Sequence, residues 1–188
     1  MLRRSIRKRI TVPVSCLSPY FFEETDISKV FYKRNNRVTS RFKFDCFLAH
    51  EWGTEQTKFA THNTVKNIAQ RLRERKLRVW LDEANLRDDV AKGIVTGLAH
   101  SRRVAVFVTR RYIERVNERN TNASKEFHCA MSKGIENIIV VVLEKFVNDR
   151  STWFGVFKYH LSSSTYIDFS TPLAMDINFE NFCERIRE

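Results

Sequence analysis

Val104-Ala105-Val106-Phe107-Val108 is a run with no polar side chain, bounded by Arg103 and Thr109. A strand with one wet face alternates apolar and polar residues. An unbroken run of β-branched and aromatic residues therefore predicts a strand covered on both faces, as a parallel sheet requires. Ile138-Ile139-Val140-Val141-Val142-Leu143 has the same character. Working outward, Phe44 to His50, Leu77 to Leu81 and Thr165 to Phe169 bring the predicted strands to five. Val65, Ile68, Ala69 and Leu72 recur at helical spacing, with Arg71, Arg73, Glu74 and Arg75 pointing outward. Val90, Ile94, Val95 and Leu98 repeat that pattern before the third strand. Tyr112, Ile113 and Val116 open another helical region, and an Asn-rich break over 117–122 separates it from a helix predicted over 123–133 with Phe127, Ala130 and Met131 inward. Ile177, Phe179, Phe182 and Ile186 predict a closing helix, and 146–164 is aromatic-rich without a clear period.

Strands alternating with helices predict an α/β fold, an open five-stranded parallel sheet in flavodoxin-like order with helices on both faces. In such sheets ligands bind outside the carboxyl ends of the strands where strand order reverses, here between the first and third. Those ends are His50-Glu51-Trp52-Gly53 and Thr109-Arg110-Arg111.

The chain has 188 residues, which suits one domain preceded by an arm. With 43% apolar residues and only five Gly and three Pro, disordered and collagen-like readings are excluded. No apolar stretch approaches the roughly 18 residues of a membrane span. The net charge of +11 is uneven: residues 1–43 hold 11 Lys and Arg against three acids, leaving a net +3 for the remainder. The division expected is a basic arm over 1–41 and a domain over 42–188. Leu2, Ile6 and Ile10 among Arg3, Arg4, Arg7, Lys8 and Arg9 fit a short basic amphipathic helix. A solvated tail, a contact with anionic lipid or nucleic acid, and an organelle presequence all fit the arm. Cys16, Cys46, Cys129 and Cys183 form no CxxC pair and no secretory signal opens the chain, so reduced thiols and a cytoplasmic setting are expected.

There is no GxGxxG, GxxxxGK[ST] or GxSxG, which argues against a Rossmann-bound redox cofactor, a P-loop nucleotide site and a serine-hydrolase elbow. The third strand ends in Thr109 and the fifth is followed by Ser170, where a phospho-receiver would carry Asp and Lys. His50, Glu51 and His62 match no helical ligand pair, and no metal is expected. His128 and Cys129 are helix neighbours pointing to different sides, which fits packing.

From Phe44 to about Ser170 the chain resembles a TIR (Toll/interleukin-1 receptor) domain. The resemblance rests on Phe44-Asp45-Cys46-Phe47-Leu48-Ala49-His50, on Val79-Trp80-Leu81-Asp82, and on Ser101-Arg102-Arg103 before the third strand. His50-Glu51-Trp52-Gly53, His62, Tyr112-Ile113 and Asn122-Ala123-Ser124-Lys125-Glu126-Phe127 look most like TIR-like domains of protists and simple animals. The resemblance implies the TIR fold and either of two activities in immune-type or cell-death signalling. One is cleavage of NAD+, taken as substrate with no cofactor, by an NAD+ nucleosidase of hydrolase or cyclase type activated by self-association. The other is non-catalytic signalling through TIR–TIR contacts; nucleotide binding without turnover is a third reading. Glu126 occupies the position of the family's catalytic glutamate. Asn122 stands where the family often has a Trp, so Trp52 is the candidate for stacking on nicotinamide, with His50 and Gly53 beside it. The loop 82–89, with Asp82, Glu83, Leu86, Asp88 and Asp89, corresponds to the family's assembly loop, without its usual Gly.

Cleaving the nicotinamide glycosidic bond builds oxocarbenium-like charge on the ribose, which one carboxylate can stabilise while holding the ribose hydroxyls. Arg102, Arg103 and Arg110 are candidates for the pyrophosphate. Glu126 also has a purely structural reading: an exposed acid in the first turn of a helix, favoured by the dipole and capped by Asn122 or Ser124.

Overall fold

The computed structural model describes residues 42–54, 57, 60–81 and 90–188, with the backbone alone at 90–92. The basic arm and the loop 82–89 lie outside the described residues. Five strands, β1 (Phe44–Ala49), β2 (Val79–Trp80), β3 (Ser101–Val108), β4 (Ile138–Val142) and β5 (Tyr166–Asp168), form one sheet in the order β2-β1-β3-β4-β5. Every pairing is parallel, with Phe47 opposite Val104 and Val106 opposite Val140. The helices are α1 (Ala60–Glu74), α2 (Val90–His100), α3 (Arg110–Asn117), α4 (Asn122–Met131), the single turn α5 (Lys145–Asn148), α6 (Gly155–Leu161) and α7 (Pro172–Arg187).

The two-residue period of the strands sorts their side chains into two cores. Phe47, Ala49, Val104, Val106, Val108, Val140 and Val142 face Ile94 and Leu98 of α2, Tyr112, Ile113 and Val116 of α3, Phe127 of α4 and Phe157 of α6. Cys46, Leu48, Ala105, Phe107, Ile139 and Val141 face Val65, Ile68 and Leu72 of α1 and Phe179, Phe182 and Ile186 of α7. The unbroken apolar runs thus serve two faces at once.

The expected order and layers hold, and local details differ. Pairing along β2 spans only Val79–Trp80, although the flanking Leu77 and Leu81 stay buried. Ile177 is exposed, because the inward stripe of α7 runs through Phe179, Phe182, Cys183 and Ile186. Residues 146–164 gain order from Trp153, 1% exposed, whose indole N–H donates to the Val147 carbonyl at 2.8 Å while its ring meets Phe157 at 5.0 Å.

Candidate functional site

His50 follows β1 with the alternation that points Cys46 and Leu48 toward α1, and so it reaches His62 in the first turn of that helix. Its Nδ1 lies 3.1 Å from the Leu48 carbonyl and its Nε2 lies 2.9 Å from His62 Nδ1. A carbonyl only accepts, so Nδ1 of His50 carries the hydrogen. Burial pushes this imidazole down to about 4, against a smaller opposite effect of the Leu48 carbonyl, while the neighbouring His62 lowers it further. Neutral His50 therefore accepts at Nε2, and His62 donates from Nδ1. The His62 ring also stacks on Trp52, with centroids 4.2 Å apart and planes 25° apart.

The loop beyond β1 is held by Glu51. One carboxylate oxygen accepts the Gly53 N–H at 2.7 Å and the other accepts from the Arg111 guanidinium at 2.9 Å. Gly53 has φ 94°, a conformation that disfavours a side chain. The hydrogen bond and charge of Glu51 hold the Arg111 guanidinium above its usual range, so the loop is tied to the first turn of α3.

The other side of the edge is built by two threonine caps. The Thr109 hydroxyl accepts the Tyr112 N–H at 3.0 Å and starts α3; the Thr121 hydroxyl accepts the Ser124 N–H at 3.0 Å and starts α4. The cap of α4 is therefore Thr121, in place of the expected Asn122 or Ser124. Glu126 then falls beyond the first three positions of the helix and is buried, 7% exposed, on the face shared with Ala123, Phe127 and Ala130. The expectation of an exposed first-turn acid is corrected, because Glu126, three residues after Ala123 and four before Ala130, lies on the face that α4 packs inward. That helix packs against α3, α2 and β1. Burial raises the Tyr112 phenol well above its usual range and the Glu126 charge raises it further; the same two causes raise the Cys129 thiol.

The structure brings His50, Trp52 and Gly53 together at the end of β1, with Glu126 on a helix packed against that strand. Arg110 begins α3 at this edge and is held by acids and an aromatic ring: its guanidinium donates to Glu114 at 3.0 Å and lies over the Phe146 ring, and its amide donates to Glu144 at 2.9 Å. Arg102 is not brought to this edge. Near the start of β3, about 20 Å along the strand from Thr109, it donates to the carbonyls of Ile186 and Arg187 at the end of α7. The assembly-loop residues Asp82, Glu83, Leu86, Asp88 and Asp89 lie outside the described residues. Among the described residues no group of three or more His, Cys, Asp or Glu is placed to hold a metal ion. Sequence reasoning missed Arg111 as the arginine that serves the β1 loop, and it weighed His62 as a metal ligand and as a mark of the family resemblance without joining it to Trp52. The helical step of about 100° separates Arg110 from Arg111, and only the way α3 packs on the sheet decides which faces the loop.

The buried histidine makes stability depend on pH. His50 has a folded value of about 4 against 6.5 for the free side chain, so below neutrality the unfolded chain binds the extra proton. Its contribution is present above about pH 6.5 and is lost as pH falls toward 4. Urea unfolding is expected to show wild type losing on the order of 2 kcal/mol more than His50→Asn between about pH 7 and pH 5. Equal losses in both proteins would refute the assignment.

Strand order 2-1-3-4-5, helices on both faces and a polar edge at the β1/β3 reversal define a flavodoxin-like α/β domain. The chain belongs to the TIR domain family, which matches residues 47–186. It is 27% identical over 142 residues to the NAD(+) hydrolase TcpA of Theionarchaea archaeon (strain DG-70-1), covering 74% of this chain and 37% of that protein. The chain thus spans little more than a third of this relative's length. The TIR domain of the Toll-related receptor TRR-2 from Hydra magnipapillata has the same fold, with a TM-score of 0.53 and 15% identity over 78% of this chain and all of that domain.

Proposed function

We propose that this TIR domain is an NAD+ nucleosidase that releases nicotinamide, with Glu126 as its key carboxylate. The observation that carries this reading is the burial of Glu126 on a helix packed against β1, whose carboxyl end is one side of the expected ligand edge. Buried carboxylates concentrate at functional sites. The similarity to a protein named an NAD(+) hydrolase supplies the substrate class.

As the bond between ribose C1′ and nicotinamide N1 breaks, its electron pair leaves with N1 and neutralises the pyridinium. The Glu126 carboxylate stabilises the positive charge left on the ribose and orients its hydroxyls. Water then adds to C1′ and loses a proton, giving ADP-ribose; attack by the adenine instead gives a cyclic product. Trp52 provides an aromatic face for nicotinamide, with His50 and Gly53 shaping the loop around it. Arg110, although bonded to Glu114, stays exposed near this edge as a pyrophosphate contact.

A second reading, assembly through TIR–TIR contacts, is favoured by the exposure of Phe154, Val156 and Tyr159 around α6. The loop 82–89 joins it as an assembly element, and self-association then activates cleavage in cytoplasmic signalling. Incubating the purified chain with NAD+ over a range of protein concentrations and following free nicotinamide tests both. Release that rises more steeply than concentration supports the nucleosidase acting as an assembly. No release at any concentration, together with concentration-dependent self-association, supports the assembly module alone.

A further inference from the structure

His62 touches two residues with two different parts of one ring. Its Nδ1–H donates to the buried Nε2 of His50 at 2.9 Å, and its face lies 4.2 Å from the Trp52 centroid. His50 is fixed in turn by the Leu48 carbonyl and by burial, so it is an anchored acceptor at the end of a central strand. The donor on His62 sets the plane of that imidazole, and the plane sets the angle of the indole. The His50 and Trp52 planes are themselves nearly parallel, 5° apart with centroids at 6.4 Å, and the His62 ring is tilted from them by 23° and 25°, so the three rings form one roughly parallel series running from the strand into the loop. On the other side, Glu51 holds the backbone at Gly53 and binds Arg111. The loop backbone is thus held by Glu51 and by the His62 amide, which donates to the Trp52 carbonyl at 3.3 Å, while the indole faces the His62 ring.

We propose that His62 is a positioning residue that aims the Trp52 indole toward nicotinamide, using the His50 Nε2 acceptor as its anchor. This rests on the nucleosidase reading for its effect on NAD+, while the aiming of Trp52 stands without it. A stacking platform held in one orientation binds a planar ring without the cost of ordering the side chain on binding. His62 acts through Trp52 and leaves the bond-breaking step to Glu126.

Two substitutions separate the two parts of the ring. His62→Asn keeps an N–H near the position of Nδ1 for His50 and removes the aromatic face. His62→Phe keeps a face for Trp52 and leaves the buried His50 Nε2 without its donor, a loss expected to lower stability. The expected result is crossed. His62→Asn keeps the wild-type melting temperature within about 2 °C, raises KM for NAD+ at least about five-fold and changes kcat less than about two-fold. His62→Phe melts lower by several degrees and retains a KM within about two-fold of wild type below its melting range. The Trp52 contribution to fluorescence, taken as the difference from a Trp52→Phe protein, shifts to longer wavelength in His62→Asn and much less in His62→Phe. The proposal is overturned if KM follows the loss of stability rather than the loss of the ring, or if His62→Asn leaves the Trp52 emission unchanged. A wild type that releases no nicotinamide defeats the nucleosidase reading, and the emission then decides by itself whether His62 holds Trp52.

Discussion

Glu126→Gln is expected to lower nicotinamide release by two to three decades while leaving the domain folded. The amide matches the carboxylate in size and can occupy the same buried place on α4, but it carries no charge to set against the oxocarbenium-like ribose. Loss of one such interaction costs about 3 to 4 kcal/mol in the transition state. Single-turnover nicotinamide release and a thermal melt check both halves of the expectation. The contrasting variant is the pair Asp88→Asn with Asp89→Asn in the loop 82–89. It is expected to make activity more dependent on protein concentration without removing activity from an assembled sample. Equal cleavage by wild type and Glu126→Gln would mean that another group stabilises the ribose cation.

Trp153→Ala is expected to destabilise the domain by about 3 to 5 kcal/mol, the range for removing a large buried aromatic side chain. For a domain of this size that is a fall in melting temperature of about 10 °C. Trp153 is 1% exposed, packs against Phe157 and Tyr166, and donates its indole N–H to the Val147 carbonyl at 2.8 Å. Its removal leaves both a cavity and an unmet acceptor under the segment between β4 and β5. Trp153→Phe fills most of the cavity without the donor and should lose only about 1 to 3 kcal/mol. A melting temperature for Trp153→Ala within 2 °C of wild type would show that this segment does not fold cooperatively with the sheet.

Trp153 also marks where local pattern stops being informative. The runs Val104 to Val108 and Ile138 to Val142 declared buried parallel strands, because a strand covered on both faces has no polar position to spare. Residues 146–164 gave no such signal. Their short turns are held by one indole and by Asn117, whose side-chain oxygen accepts the Val156 N–H across 39 residues. A contact of that kind has no period along the chain. Ile177 is a different case: it is apolar and lies in the closing helix, yet it is exposed, because steps of about 200° from Phe179 and about 180° from Ile186 put it on the opposite side of α7.

Local apolar period and a topology that leaves few alternatives already specify the five strands, their parallel order, the family resemblance and the pair of strand ends where the order reverses. Tertiary packing was needed to show that Thr121 caps α4 and that Glu126 lies on its buried face, that Arg111 rather than Arg110 binds Glu51, that Arg102 donates to the carbonyls at the end of α7, and that His62 joins His50 to Trp52. Each of these depends on a helix's starting residue or on contacts between segments distant in sequence. Neighbouring helical side chains differ in direction by about 100°, so which of them meets another segment is set by how the helix packs, and local propensity does not fix that.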